Sequence, residues 1–539
     1  MFHVKRFGTI DAKVLASRRS GPPLGLVRPA KAAVFLRLFW GRGWAAMSND
    51  PEEPESGAGA AKPPQKSKAE DNPWYLLATL YGEPALEDSE LRTKNRIAWN
   101  RYFAANLDDE TREQLIEQKR HPAEDLTPLS AEELAEVGEA FVKRASSSAT
   151  QVLPPFNIMI NFSGVQFTNN VYFADYLFAG VTFFVDANFF GELNSYSGAT
   201  FFGGTFFDRV IFSGNAHFHC ANFCGGASFI YVTFLSGACF DGAIFPSAAD
   251  FLNSTFSQYA GFRDATFCRY AAFHGATFSG QSFFNQTKFY GRVLFDGAKF
   301  HMRSSFVRVE MKEETSFENA TFFGETRFTS AIFERTCSFV NAEMKGETFF
   351  DTMAFNMEPP KFFGAKLHQG TVWRGITWPP TPKGKDEAGV FVDAYACLKL
   401  EMDRLKKHED ELKFFSLELR SLRILRESKF RGSGIPIALY GIICDYGRSY
   451  IRPLIGLFVV AAIGALIFLP FKILSPWESL SLSFANTFNV FGFRKDYFDA
   501  ATISNLPDLL KVLSAVQTIL GTILLFLVGL GIRNRFRMK

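Results

Sequence analysis

The sequence predicts a mainly β solenoid with a helical cap before it, a helical linker after it and two transmembrane helices at the end. Three observations lead there: a phenylalanine lattice of 11-residue period, charged amphipathic segments on either side of it, and two uncharged apolar runs near the C-terminus. The chain has 539 residues and 63 Phe, of which 43 lie between residues 151 and 380. Self-similarity at a fixed short period is the signature of a repeat architecture.

From Phe201, steps of 11 land on Phe212, Phe223, Phe234, Phe245, Phe256, Phe267 and Phe278, and they continue to Phe355 with only Met311 and Met344 departing. A second register starts at Phe207 and passes through Phe218, Phe229, Phe240, Phe251, Phe262 and Phe273 to Phe350 without a break. The two registers alternate at spacings of five and six residues. Upstream the rhythm runs from Phe162 to Phe189 and slips by one residue before Phe201; downstream it slips near Pro359 and Pro360 and returns as Phe362, Leu367, Trp373 and Trp378. The position two residues before each Phe is restricted, most often to a small side chain, as in Ala199, Ala221, Ala216 and Ala238, with Val210 and Met353 among the larger exceptions. Positions i and i−2 share one face of an extended strand, so the pair fills a narrow interior in layers. Abundant Phe, Thr and Gly disfavour a helical coil of the same period. Each buried ring contributes about 2 kcal/mol or more from area alone, so the segment should be a stiff rod.

Units such as Ala265-Thr266-Phe267 and Ala276-Thr277-Phe278 resemble the repeat of the pentapeptide-repeat family, over roughly residues 156–378. The resemblance implies a right-handed, four-sided β-helix with the Phe and the small residue inside. A sixth residue in alternate units departs from the family's five-residue step, and the expected coil is therefore about 22 residues.

Residues 1–72 read as a basic extension and a disordered linker. Residues 1–46 carry nine Lys or Arg against the single Asp11, a composition that imitates an organellar transit peptide; a start at Met47 is the simpler account. Residues 73–150 form the helical cap, with Ser130 opening a capping box and the charge run from Asp108 to Arg120 as a solvated helix face. A solenoid needs its open end covered. Residues 386–430 hold a second amphipathic pattern, from Tyr395 and Leu398 to Leu419 and Leu422, suited either to the rod's far end or to a coiled coil.

Residues 435–539 form the membrane domain, with uncharged spans at 453–471 and 512–532, each long enough to cross a bilayer. Arg448 and Arg452 precede the first, and Arg533, Arg535, Arg537 and Lys539 follow the second. The positive-inside rule then places both ends of the hairpin, and the solenoid, in the cytoplasm. The expected location is a bacterial inner (plasma) membrane. Between the spans, residues 480–493 pair a short apolar helix with a Gly-containing turn and look like the pore loop of two-helix cation channels. Thr487, Asn489 and Gly492 are the candidate pore-loop positions. One Gly stands where a potassium filter needs two, which argues against potassium selectivity. Gln517, Thr518 and Thr522 are positioned to line a pore or to bond a neighbouring helix.

Seven scattered Cys suggest free thiols in a reducing compartment. His217, His219, Cys220 and Cys224 are the one metal-like constellation, in a spacing that matches no strong zinc motif and fits ordinary outward repeat positions. No phosphate-binding loop or nucleophile elbow appears, and no enzyme activity or cofactor is expected. The net charge of +3 excludes a strongly basic nucleic-acid binder, and 18 acidic against 15 basic residues in 151–380 are too balanced for DNA mimicry. The leading function is a membrane-anchored scaffold presenting the solenoid to a cytoplasmic protein partner. The alternative is an oligomeric, channel-like protein with a re-entrant loop. The expected partners are thus the lipid bilayer, an unknown cytoplasmic protein and further copies of the chain, with no nucleic acid.

Overall fold

The computed structural model describes residues 66–145, 152–155, 159–426, 434–471, 475–494, 498 and 506–537. The basic extension and Met47 lie outside them. From Ile160 to Phe355 the chain coils through two- and three-residue strands that build four parallel sheets of nine strands, one of which gains a tenth from Ser67–Lys68. Ala227 pairs with Thr205 and Ala249 with Ala227, a coil of 22 residues. Two coils take 23, at Thr182 to Thr205 and at Ser338 to Lys361, and these absorb the two slips in the Phe rhythm. At one turn between strands the backbone is left-handed at Gly275 (φ 65°), where the lack of a Cβ removes the strain.

The fifteen lattice residues from Phe201 to Phe278 are all buried. Their rings form four columns, one beneath each sheet. In one of them Phe207, Phe229, Phe251 and Phe273 stack nearly parallel at 5.0, 4.8 and 4.8 Å. That step matches the strand spacing of about 4.8 Å, so ladder hydrogen bonding and ring stacking share one repeat. Columns under opposite sheets meet edge to face: Phe251 lies 5.5 Å from Phe262 at 89°. This is the favoured arrangement for ring quadrupoles, and it closes the interior.

One column member carries a hydroxyl. Tyr196 occupies the ring position before Phe201, stacked on Phe218 at 4.8 Å and 5°, with Asn194 buried in the small-residue position. Tyr196 stands 11 residues before Phe207, in step with the second register, and a lattice counted in Phe alone passes over it. The Tyr196 hydroxyl is buried without a hydrogen-bond partner. Tyr196→Phe is therefore expected to stabilise the rod by about 1–3 kcal/mol, the usual cost of a buried unpaired polar group. A lower urea midpoint in the variant would show that the hydroxyl has a partner.

Helices α1 (Pro73–Ala78), α2 (Ser89–Ala104), α3 (Asp109–Glu117) and α4 (Ala131–Arg144) precede the coil. They supply the partners that the first coil lacks. The strand Ser67–Lys68, in a stretch that composition assigns to linker, pairs with Val165–Gln166. Asn100 Oδ1 accepts the Leu177 N–H at 2.7 Å, and Trp99 Nε1 donates to the Leu177 carbonyl at 2.8 Å. Asn72 Nδ2 reaches the Asn161 carbonyl at 2.9 Å. The capping box at Ser130 forms with Glu133.

Beside this cap, His121 is buried with Nε2 2.9 Å from Thr200 Oγ1. Burial first, then the nearby Arg96 and Arg120, hold its pKa down to about 4. The unfolded chain takes up this proton near pH 6.5, so between pH 6.5 and 4 it binds more protons than the folded one. Stability then falls with pH across that window, by roughly 3 kcal/mol in all. Hydrogen-exchange protection at Ala123–Leu126, relative to the intrinsic rate at each pH, should fall as pH is lowered through the same window, and His121→Gln should abolish that pH dependence.

After the last coil, α5 (Lys385–Arg404) and α6 (His408–Arg426) cover the far end, which settles the choice between end-packing and a coiled coil for this stretch of the chain. Phe414 stands edge-on to Trp378 at 5.1 Å. Glu401 Oε1 accepts the Leu367 N–H at 2.9 Å, Arg404 donates to the Leu367 carbonyl at 3.0 Å, and the Lys407 ammonium donates to the Thr371 carbonyl. Then follow α7 (Ile435–Cys444), α8 (Ile451–Phe468), α9 (Pro476–Thr487) and α10 (Asp508–Arg537). Helices α8 and α10 are long and apolar enough to cross a membrane.

Candidate functional site

The site begins with a well-made helix start. Ser475 and Glu478 form a reciprocal capping box and Pro476 occupies the first turn, so α9 starts sharply after the long helix α8. From there α9 runs back along α8. Its first half packs Leu482 into a cluster with Phe468, Leu506 and Leu510. Its last residues reach Phe458 through Phe488 at 6.4 Å, and the Thr487 carbonyl lies against Gly521 near the middle of α10. The helix thus stops about halfway along both long helices.

One face of α9 is polar and buried. Ser479, Ser483, Asn486 and Thr487 are each no more than 1% exposed, and Ser483, Asn486 and Thr487 meet Gln517 of α10. Gln517 Nε2 donates to the Ser483 carbonyl at 3.0 Å, to Ser483 Oγ at 2.5 Å and to Thr487 Oγ1 at 3.0 Å. Asn486 Nδ2 returns a bond to Gln517 Oε1 at 3.4 Å, and Ser483 Oγ donates to the Ala461 carbonyl of α8 at 2.6 Å. Glycines make the approach possible: a Cβ on Gly464 would lie 2.4 Å from both Gln517 Nε2 and Ser483 Oγ. Small residues that admit a polar contact are the usual cement between helices in lipid.

Of the loop positions singled out from sequence, Thr487 belongs to this cluster. Asn489 and Gly492 lie beyond it, in the short 3-10 turn Asn489–Phe491 and its left-handed end at Gly492, φ 85°. Val490 and Phe491 in that turn are 61% exposed. The Thr518 and Thr522 hydroxyls bond back to carbonyls four residues earlier on their own helix. Ser479, Ser483, Asn486 and Ser514 were not singled out. For the three on α9 the signal is their spacing, which with Thr487 puts four polar side chains on one face of the helix.

The metal-like constellation does not gather. His217 and His219 flank buried Phe218, and Cys220 Sγ lies 3.4 Å from His219 Nε2. Among the described residues the group with metal-ligand spacing is Asp403, His408 and Glu411. There Arg537 already lies 3.8 Å from both carboxylates, tying the end of α10 to the solenoid's end cap.

No protein-family model, no curated protein and no solved structure matches this chain. The solenoid and the two long apolar helices therefore define it by architecture: a β-solenoid of about nine turns with parallel sheets, capped by helices at both ends, followed by two candidate membrane helices.

Proposed function

We propose that this chain is a membrane-anchored pentapeptide-repeat protein whose C-terminal hairpin assembles with other copies into a cation-conducting, pore-loop unit, with the solenoid on the cytoplasmic side. The observation that carries the reading is the course of α9, which turns back beside α8 and stops near mid-height. In a bilayer the break in its α-helical backbone, the 3-10 turn Asn489–Phe491 ending at left-handed Gly492, stands at a depth where lipid-facing irregular backbone is not tolerated. Such a turn needs cover from protein or a water-filled cavity, and further copies around an axis supply both. The carbonyl end of α9 carries partial negative charge toward that axis, which favours a cation. With a single Gly in the turn, discrimination between potassium and sodium is not expected.

The full-length chain in planar bilayers should pass cations over anions, and Gly492→Ala, which puts a side chain at positive φ, should alter the conductance. Silent bilayers containing a correctly inserted oligomer would overturn the pore.

The scaffold reading has its own support on the rod. On an outer face Arg263 lies over Phe283 at 4.4 Å and donates to the Tyr259 hydroxyl at 2.6 Å, a rigid aromatic and cationic patch of the kind protein partners engage. Crosslinking in cells that recovers no partner dependent on the solenoid counts against that role.

A further inference from the structure

Helix α7 is apolar, yet at ten residues it spans about 15 Å, half the thickness of a bilayer core. Its Ile435, Leu439 and Ile442, spaced to share one face, are 59%, 50% and 71% exposed. A tight turn joins it to α8, through left-handed Asp445, Tyr446 and Gly447. Two contacts set the height of that turn. Asn534 near the end of α10 donates to the Gly447 carbonyl at 3.0 Å, and Arg420 of α6 pairs with Asp445 at 3.2 Å. Arg452 at the start of α8 and Arg533 and Arg535 beside Asn534 therefore share one level with the turn. All three are exposed and make no ion pair among the described residues. Arg537, by contrast, is held by Asp403 and Glu411.

We propose that α7 lies flat in the lipid–water interface where the two long helices emerge, and that Arg452, Arg533 and Arg535 bind the headgroups of anionic phospholipids. The neighbouring helix α8 also leaves large apolar side chains exposed, at Ile455, Phe458 and Ile463. A short apolar helix beside three unpaired guanidinium groups is complementary to that boundary, with hydrocarbon on one side and phosphate on the other. Guanidinium binds phosphate in a two-point fork, which holds a headgroup more firmly than a point charge does. The inference rests on the membrane anchoring proposed above and is independent of conduction.

The test reconstitutes the full-length chain into liposomes of equal phosphatidylglycerol and phosphatidylcholine, re-extracts it and measures the lipid it retains. Phosphatidylglycerol should be enriched about fivefold. The enrichment should vanish when Arg452→Gln, Arg533→Gln and Arg535→Gln are combined and persist in large part with Lys at the same positions. In the liposomes, a photoactivated hydrophobic probe should label the peptide Ile435–Cys444. An embedded chain that retains both lipids equally, or an unlabelled α7, overturns the inference while leaving the anchor standing. A chain that does not remain with the liposomes overturns the anchor and the inference together.

Discussion

Phe240→Ala should cost the rod about 3–5 kcal/mol, the range for emptying a fully buried ring position. Phe240 stacks on Phe218 at 4.7 Å and on Phe262 at 5.0 Å, and meets Phe229 and Phe251 edge to face at 5.3 and 5.4 Å. All four neighbours are held by their own strands and columns, so they cannot collapse into the space. A solenoid is close to one-dimensional, each coil contacting only the next. The cavity should therefore also uncouple the coils before and after it, and a single urea transition should broaden or split. Phe190→Ala is the control. That ring is 50% exposed, and its loss should change stability by less than about 0.5 kcal/mol. Equal effects from the two substitutions would mean that the columns are not the source of the rod's stability.

Gly521→Ala should displace α9. A Cβ at this position would lie 2.1 Å from the Thr487 carbonyl oxygen, a backbone atom that cannot rotate away. Helix α9 must shift, and with it the bonds from Gln517 to Ser483 and Thr487 loosen. The expected loss is about 3 kcal/mol, at the upper end for inserting one carbon into a tight contact. Gly529→Ala, about two turns further along α10, meets nothing within 4 Å and should be neutral or slightly stabilising through helix propensity. Hydrogen exchange across Pro476–Thr487 in detergent separates the two: faster exchange is expected for the first variant and none for the second. Unchanged protection in Gly521→Ala would show that α9 does not depend on this contact.

Most of the solenoid was legible because its information is local and repeated. Spacings of five and six put Phe218 and Phe223 on adjacent faces, and the 22-residue coil follows from counting. Tyr196 falls on the second register, 11 residues before Phe207, but a lattice counted in Phe passes over it, and its stacking on Phe218 shows that it holds a ring position. In the C-terminal segment, composition and length pointed to α8 and α10, and the capping box before α9 can be read directly at Ser475 and Glu478. The partnership of Ser483 with Gln517 could not be read, because it joins residues 34 apart on two different helices and leaves no periodic trace.

The sequence by itself determined the rod's period, its interior and the two apolar spans, because strand and helix periodicities are written in neighbouring residues. The tertiary structure alone decided how the rod ends and how the hairpin closes. Trp99 and Asn100 reach Leu177 across more than seventy residues, and Glu401 and Arg404 clasp Leu367 from a helix that could equally have formed a coiled coil. The physical reason is the same in each case. Unpaired backbone groups at an open end, and a buried amide such as that of Gln517, accept any partner of the right geometry, and only the folded chain brings one within reach.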